Sequence, residues 1–285
     1  MNLKNEICNA FNKQAINYEK SAKIQLEIGE RLFERLDYLK ISPRLILDLG
    51  CGTGTFTPLL RKKYPKATVI GLDFADNMLK EAKKKQGFLR RWPLVQADMS
   101  NLPFKNASFD LIFANQTIHW SLSKLKLFKE LNRILNVHGC LMFSTLGPDS
   151  FRELKQAWAR VDNYAHVNDF KDMHDLGDEL LQSRFLDPVV DMEYISLQYK
   201  NLTDLVKGLH EQGVRNINTS RNKGLTGKSA WDNFSKNYAK LCTQEGKYPL
   251  TYEVVYGHAW KGEIRAEGNA KEAFISLADI QVAQS

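Results

Sequence analysis

The sequence predicts an α/β protein, a mostly parallel sheet with helices wound on both faces. Three observations carry that expectation. Short apolar runs recur through the first half, helical patterns separate them, and a glycine-rich turn joins the first run to a helix. A strand covered on both faces reads as an unbroken apolar run, whereas a half-exposed strand alternates.

The elements follow in order. Ile28, Leu32, Leu36 and Leu39 form an apolar stripe at helical spacing ahead of the sheet. Leu45 to Leu49, Thr68 to Leu72, Leu94 to Ala97, Phe109 to Ala114 and Cys140 to Thr145 are the apolar runs expected as buried strands. Between them, Asn77 to Lys85 aligns Met78, Leu79 and Ala82, and Ser123 to Leu135 aligns Leu125, Phe128, Leu131 and Leu135. Strands alternating with helices pair in parallel. The alternation breaks after Thr145 at the turn Gly147-Pro148-Asp149. Beyond it, Phe151 to Val161, Asp172 to Arg184 and Thr226 to Thr243 read as helices. Val189 to Tyr199 alternates like an exposed strand, and Leu250 to Trp260 reads as the last one.

With 285 residues, 43% hydrophobic and 26% charged, the chain suits one large domain or a domain with an insertion. General disorder is excluded. No apolar run approaches the roughly 20 residues that span a bilayer, and Met1 to Phe11 lacks the apolar centre of a secretory signal. The net charge of +7 favours an anionic partner. Runs such as Arg61-Lys62-Lys63, Lys83-Lys84-Lys85 and Arg90-Arg91 are, however, what solvated helix faces carry. Cys8, Cys51, Cys140 and Cys242 form no Cys-x-x-Cys pair, so neither a disulfide framework nor a zinc knuckle is expected, and a reducing cytoplasm is. The histidines lack ligand spacing, and no metal is implied.

The informative stretch runs from Leu47 to Thr55, with Asp48 ahead of Gly50, Gly52 and Gly54. It follows a strand and opens a helix, so ligand atoms can approach backbone N–H groups closely. A dinucleotide fingerprint would need glycine where Thr55 stands, and no Gly-Lys-Ser/Thr follows to make a P-loop. Acids recur where later strands end, at Asp73 and Asp98, with Asn115 and Gln116 after the fourth strand. This arrangement resembles the Rossmann-like class I S-adenosylmethionine-dependent methyltransferases, whose cofactor carries a sulfonium cation and an amino acid rather than a pyrophosphate. The resemblance implies a seven-stranded sheet with a helical lid insertion. It also implies a cofactor held by Asp48, Gly50, Cys51, Gly52, Gly54, Asp73, Phe74, Met78, Asp98, Met99, Asn115 and Gln116, with Asp73 on the ribose hydroxyls and Asp98 and Met99 at the adenine.

Other segments are more selective. Tyr18-Glu19-Lys20-Ser21-Ala22-Lys23-Ile24-Gln25, Leu154 to Trp158, His166-Val167-Asn168-Asp169-Phe170, Asp172 to Asp175, Leu225-Thr226-Gly227 and Tyr248-Pro249-Leu250-Thr251-Tyr252 resemble the malonyl-[acyl-carrier protein] O-methyltransferases of biotin synthesis, the BioC family. The resemblance covers roughly residues 8 to 260. It implies methyl transfer to the free carboxylate of a malonyl thioester, on acyl-carrier protein or coenzyme A, with no nucleic acid or membrane involved. Residues 1–43 are then an N-terminal lid and helix, 44–146 the cofactor-binding core, 147–248 an acceptor and lid region with interspersed core helix and strand, and 249–285 the last core strand and a tail. Tyr18 and His119 are the candidate catalytic residues, acting by orientation rather than as a general base, and Trp120, Arg152 and Arg221 are candidates for the acceptor. The family usually has Gln-Trp where this chain has His119-Trp120. Two alternatives stay open: a methyltransferase-fold assembly factor, and methylation of another small carboxylate. Between Arg221 and Lys247 six basic residues stand against two acidic ones, a surplus suited to an acidic carrier.

Overall fold

The computed structural model describes residues 3–87, 91–212, 216–218, 220–222 and 224–263. Three helices precede the sheet: α1 (Leu3–Gln14), α2 (Tyr18–Ser21) and α3 (Lys23–Arg35). Then β1 (Leu45–Leu49), α4 (Thr57–Lys63), β2 (Thr68–Asp73), α5 (Asp76–Lys84), β3 (Leu94–Gln96) and β4 (Phe109–Ala114) alternate as expected. They are followed by α6 (Lys124–Ile134), β5 (Leu135–Leu146), α7 (Arg152–Trp158), α8 (Met173–Gln182), β6 (Phe185–Tyr199), α9 (Leu202–Glu211), α10 (Lys228–Ala239) and β7 (Tyr248–Lys261). The seven strands lie in the order β3-β2-β1-β4-β5-β7-β6. Strands β1 to β5 are parallel, and β7 inserts antiparallel between β5 and β6.

Successive residues of each central strand feed opposite layers. Ile46, Leu111, Met142 and Val254 join a core closed by Ile24, Ile28 and Leu32 of α3 and by Trp158, Phe234 and Tyr238 of α7 and α10. Their neighbours Leu47, Ile112, Leu141 and Val255 join a second core under α6 and α8. All eight strand residues are at most 2% exposed, which explains why these strands read as unbroken apolar runs. The crossovers reverse direction between β1 and β4, so the carboxyl ends of those strands open a crevice.

Three helices have no counterpart in the sequence expectations: α1, the single turn α2, and α9. Helix α1 buries only Ile7 and Ala10, too thin a stripe to stand out. Helix α9 buries Leu202 and Leu205 behind an Asn201 cap that accepts from Asp204 N–H. Strand β5 begins at Leu135, ahead of the expected Cys140, because α6 runs straight into it. Helix α8 and strand β6 both fall between residues 147 and 248. Arg90, Lys223 and the tail beyond Glu263 lie outside the described residues.

Candidate active site

One cavity opens at the crevice. Its walls include Gly50 and Gly52 after β1, Asp73 and Phe74 after β2, Asp98 and Met99 after β3, and Asn115 and Gln116 after β4. The glycine loop is shaped by its backbone. Gly50 has φ +69°, and a Cβ there would stand 1.9 Å from the Thr117 hydroxyl. Gly52 has φ +54° with nothing within 4 Å of its would-be Cβ, so that space is left to a ligand. The Asp73 carboxylate is fixed from both sides, accepting from Gly52 N–H at 2.9 Å and Ala75 N–H at 2.8 Å. Burial raises its pKa, and those backbone bonds work against the rise. Met78, buried, is part of the same apolar lining.

The N-terminal segment packs against the cavity and contributes Lys4, Ile7, Cys8, Phe11 and Tyr18 to its lining. Lys4 pairs with Asp98 at 2.5 Å, and Asn12 accepts from Asn77 N–H at 2.9 Å. Glu19 gathers the Thr53 hydroxyl at 2.7 Å and the Lys85 ammonium, tying α2 to the glycine loop. Burial pushes Asp98 upward, but the Lys4 and Ser100 hydrogen bonds outweigh it and hold the carboxyl below its ordinary range. Tyr18 lines the cavity, and burial, with Asp73 nearby, raises its phenol so that it stays neutral. Trp120 meets Phe11 edge-on with centroids 5.2 Å apart.

His119 sits deeper, between Trp120 and Phe170. Burial, helped by Lys124, lowers its pKa to about 3, so the imidazole is neutral throughout the physiological range. Its Nδ1 is buried without a partner among the described residues. A neutral ring with one free nitrogen can orient an acceptor but is a poor proton store.

Five expected site residues stand elsewhere. Asp48 lies beneath the loop, 3% exposed, holding the Thr57 hydroxyl at 2.5 Å. Cys51 turns back against Gly71, donating its N–H to the Leu72 carbonyl. Gly54 faces Ala82 and Trp92, seating the loop on α5. Arg152 points over Tyr194 on β6, because the left-handed turn at Phe151 directs Phe151, not Arg152, into the cavity. Arg221 pairs with Glu6 at 2.8 Å and so anchors α1 rather than lining the cavity. Lining residues that the sequence did not nominate include Gln25, Thr117, Phe151, Asn168, Phe170, Gln212 and Tyr252. Gln25, Asn168, Phe170 and Tyr252 fall inside the selective segments; nothing in the sequence singles out Gln212.

The Asp48 burial has a measurable consequence. It lifts the carboxyl to about 7, with the Thr57 bond opposing and Asp73 adding to the rise. The unfolded side chain titrates near about 4. The native state therefore keeps an extra proton between roughly pH 4 and 7, and stability falls as pH rises through that window. Asp48→Asn retains an acceptor for Thr57, so melts should show a Tm gain at pH 8 and almost none at pH 4.5. Equal gains at both values would refute the assignment.

These features, an open glycine loop over a parallel sheet with acids at successive strand ends, define a class I S-adenosylmethionine-dependent methyltransferase. Residues 47–143 match the methyltransferase domain family. The chain is 57% identical over 280 residues to the malonyl-[acyl-carrier protein] O-methyltransferase of Legionella pneumophila, covering 98% of this chain and 99% of that one. It is 44% identical to the protein of that name from Gallionella capsiferriformans, over 88% and 89% of the two chains. The chain belongs to the malonyl-[acyl-carrier protein] O-methyltransferase family. Among solved structures, YcgJ from Bacillus subtilis matches with a TM-score of 0.57 at 17% identity, over 81% of this chain and 98% of that one. The Haemonchus contortus phosphoethanolamine N-methyltransferase 2, solved with S-adenosylhomocysteine, matches at 0.55 and 17%, over 92% and 61%. Among the described residues, no helix is long and apolar enough to cross a membrane, and no group of three metal-ligating side chains forms.

Proposed function

We propose that the chain transfers a methyl group from S-adenosylmethionine to the free carboxylate of a malonyl thioester, the step that opens biotin synthesis, in the cytoplasm and without nucleic acid or membrane partners. The observation that carries this reading is one continuous cavity. It runs from the glycine loop and Asp73 to the neutral ring of His119 and the wall of Trp120 and Phe170. The residues fit the cofactor: Gly52 leaves open space, Asp73 presents a fixed carboxylate for the ribose hydroxyls, and Met78 and Phe74 flank it. Bound S-adenosylmethionine supplies an electrophilic methyl on its sulfonium.

The chain's own part is orientation and water exclusion. A malonyl carboxyl titrates near about 4, so close to neutrality the nucleophile is already ionised and no base is needed. His119 offers Nδ1–H to the carboxylate in one tautomer, and Tyr18 offers a neutral hydroxyl. Phe11, Trp120 and Phe170 keep water out while the reacting groups are held together.

The carrier docks, in this reading, on the 147–248 region. Lys228 and Lys236 of α10 and Lys240 just after it are exposed, and the helix is braced from behind by Phe234 stacked on Trp158. Reversing the three charges should lower kcat/KM for malonyl-acyl-carrier protein, most strongly at low salt, in an assay of labelled methyl transfer. Turnover of malonyl-coenzyme A should hold within a factor of about two, since a small thioester gains little from steering. Equal losses with both substrates would move the docking surface elsewhere.

A further inference from the structure

Two polar side-chain atoms on the cavity wall are buried and lack a partner among the described residues: His119 Nδ1 and Gln25 Oε1. The second is the more restrictive, because its chemistry is fixed by what surrounds it. Gln25 Nε2 donates to Gln212 Oε1 at 3.1 Å, and the Tyr252 hydroxyl donates to the same oxygen at 3.3 Å. Gln212 thus turns its carbonyl oxygen to both donors, and a flipped Gln25 would set oxygen against oxygen. Its Oε1 is left as an acceptor that needs a donor.

Gln25 is also held in place along the backbone. Its carbonyl accepts from Asn115 Nδ2 at 2.9 Å, and Asn115 Oδ1 accepts from the Ser144 hydroxyl at 2.7 Å. One turn along α3, Gly29 permits that approach, since a Cβ there would lie 2.6 Å from Asn115 Nδ2 and 2.1 Å from the Phe56 ring. Gln25 is thus fixed at the carboxyl end of β4, on the wall of the cavity that Asp73 and Asp98 also line.

Few ligand groups can satisfy Gln25 Oε1. The malonyl group meets the site with carboxylate and carbonyl oxygens, all acceptors, and the amide N–H donors of its carrier arm lie beyond the thioester sulfur. S-adenosylmethionine carries donors in three places, and its ribose hydroxyls and adenine amino group fall to Asp73 and Asp98. The third is the ammonium of the methionyl arm. On the cofactor reading given above, we infer that Gln25 Oε1 receives the α-ammonium of S-adenosylmethionine, and that Gln212 and Tyr252 act as positioning residues that keep this oxygen presented. A hydrogen bond to a charged donor in a dry site is among the stronger kinds.

The test is binding, measured by calorimetry on the unliganded protein with S-adenosylhomocysteine and with its des-amino analogue. Wild-type protein should prefer the amine-bearing ligand by roughly 10- to 100-fold. Gln25→Met should bind both ligands alike, near the wild-type affinity for the des-amino compound. Gln212→Met, which frees the Gln25 amide to rotate, should lose part of the preference. Should Gln25→Met not fold, Gln25→Asn makes the same comparison with the amide drawn back by one methylene. An undiminished preference in a folded Gln25 variant overturns this inference alone, as does a loss confined to malonyl-thioester binding, which would place the thioester's amide-bearing arm there instead. Wild-type protein that binds neither ligand overturns the cofactor reading and this inference with it.

Discussion

Asp73→Ala is expected to weaken S-adenosylmethionine binding by at least ~100-fold, the loss that follows from removing two hydrogen bonds made by a charged acceptor in a desolvated site. The residue does two jobs. Its oxygens fix the loop through Gly52 and Ala75 N–H, and the same carboxylate faces the cavity where the ribose hydroxyls would lie. Asp73→Asn separates them, since an amide offers one acceptor oxygen where the carboxylate offers two. It should fall between wild type and alanine. Gly52→Val reaches the same end by another route: valine is strained at φ +54°, and its side chain fills space that the protein leaves open. Both variants should retain a folded sheet by circular dichroism, because neither position belongs to the apolar layers. Near-wild-type calorimetric affinity in both would refute the placement of the cofactor.

How much of this could be read beforehand depends on whether a residue's role follows from local sequence. The central strands were legible because burial on both faces forces unbroken apolar runs, as in Phe109 to Ala114. Gly50, Gly52 and Asp73 were legible because a loop that admits a ligand demands particular backbone freedom and an acid at a strand end. Asp48 and Arg152 were not. Each has the right chemistry at a suggestive position, but one is turned inward to Thr57 and the other outward to Tyr194, and rotation about a single residue decides this. Gln212 illustrates the opposite limit. It follows α9, a helix the sequence reading passed over, and matters only because tertiary packing sets it beside Gln25 and Tyr252.

The acceptor should be chosen by its charge. Malonyl thioesters should be methylated and acetyl thioesters should give no detectable product, because an acetyl group presents no anionic oxygen to the sulfonium. The rate should then be flat between about pH 5.5 and 7.5, falling only in acid where a carboxyl with a pKa near about 4 takes up its proton. His119, lowered to about 3, contributes no limb in that range. Lys124 beside it does titrate: burial brings it down to about 8, and it donates to the His119 and Ser121 carbonyls. A decline above that pH should therefore disappear in Lys124→Gln and persist in His119→Gln. His119→Gln itself restores the family's usual Gln-Trp and keeps a side-chain donor, so it should cost no more than ~10-fold, about one hydrogen bond, and leave the profile's shape unchanged. A limb with a pKa near 7 that vanishes in His119→Gln would mean that the imidazole removes a proton after all, and the acceptor would have to be something other than a free carboxylate.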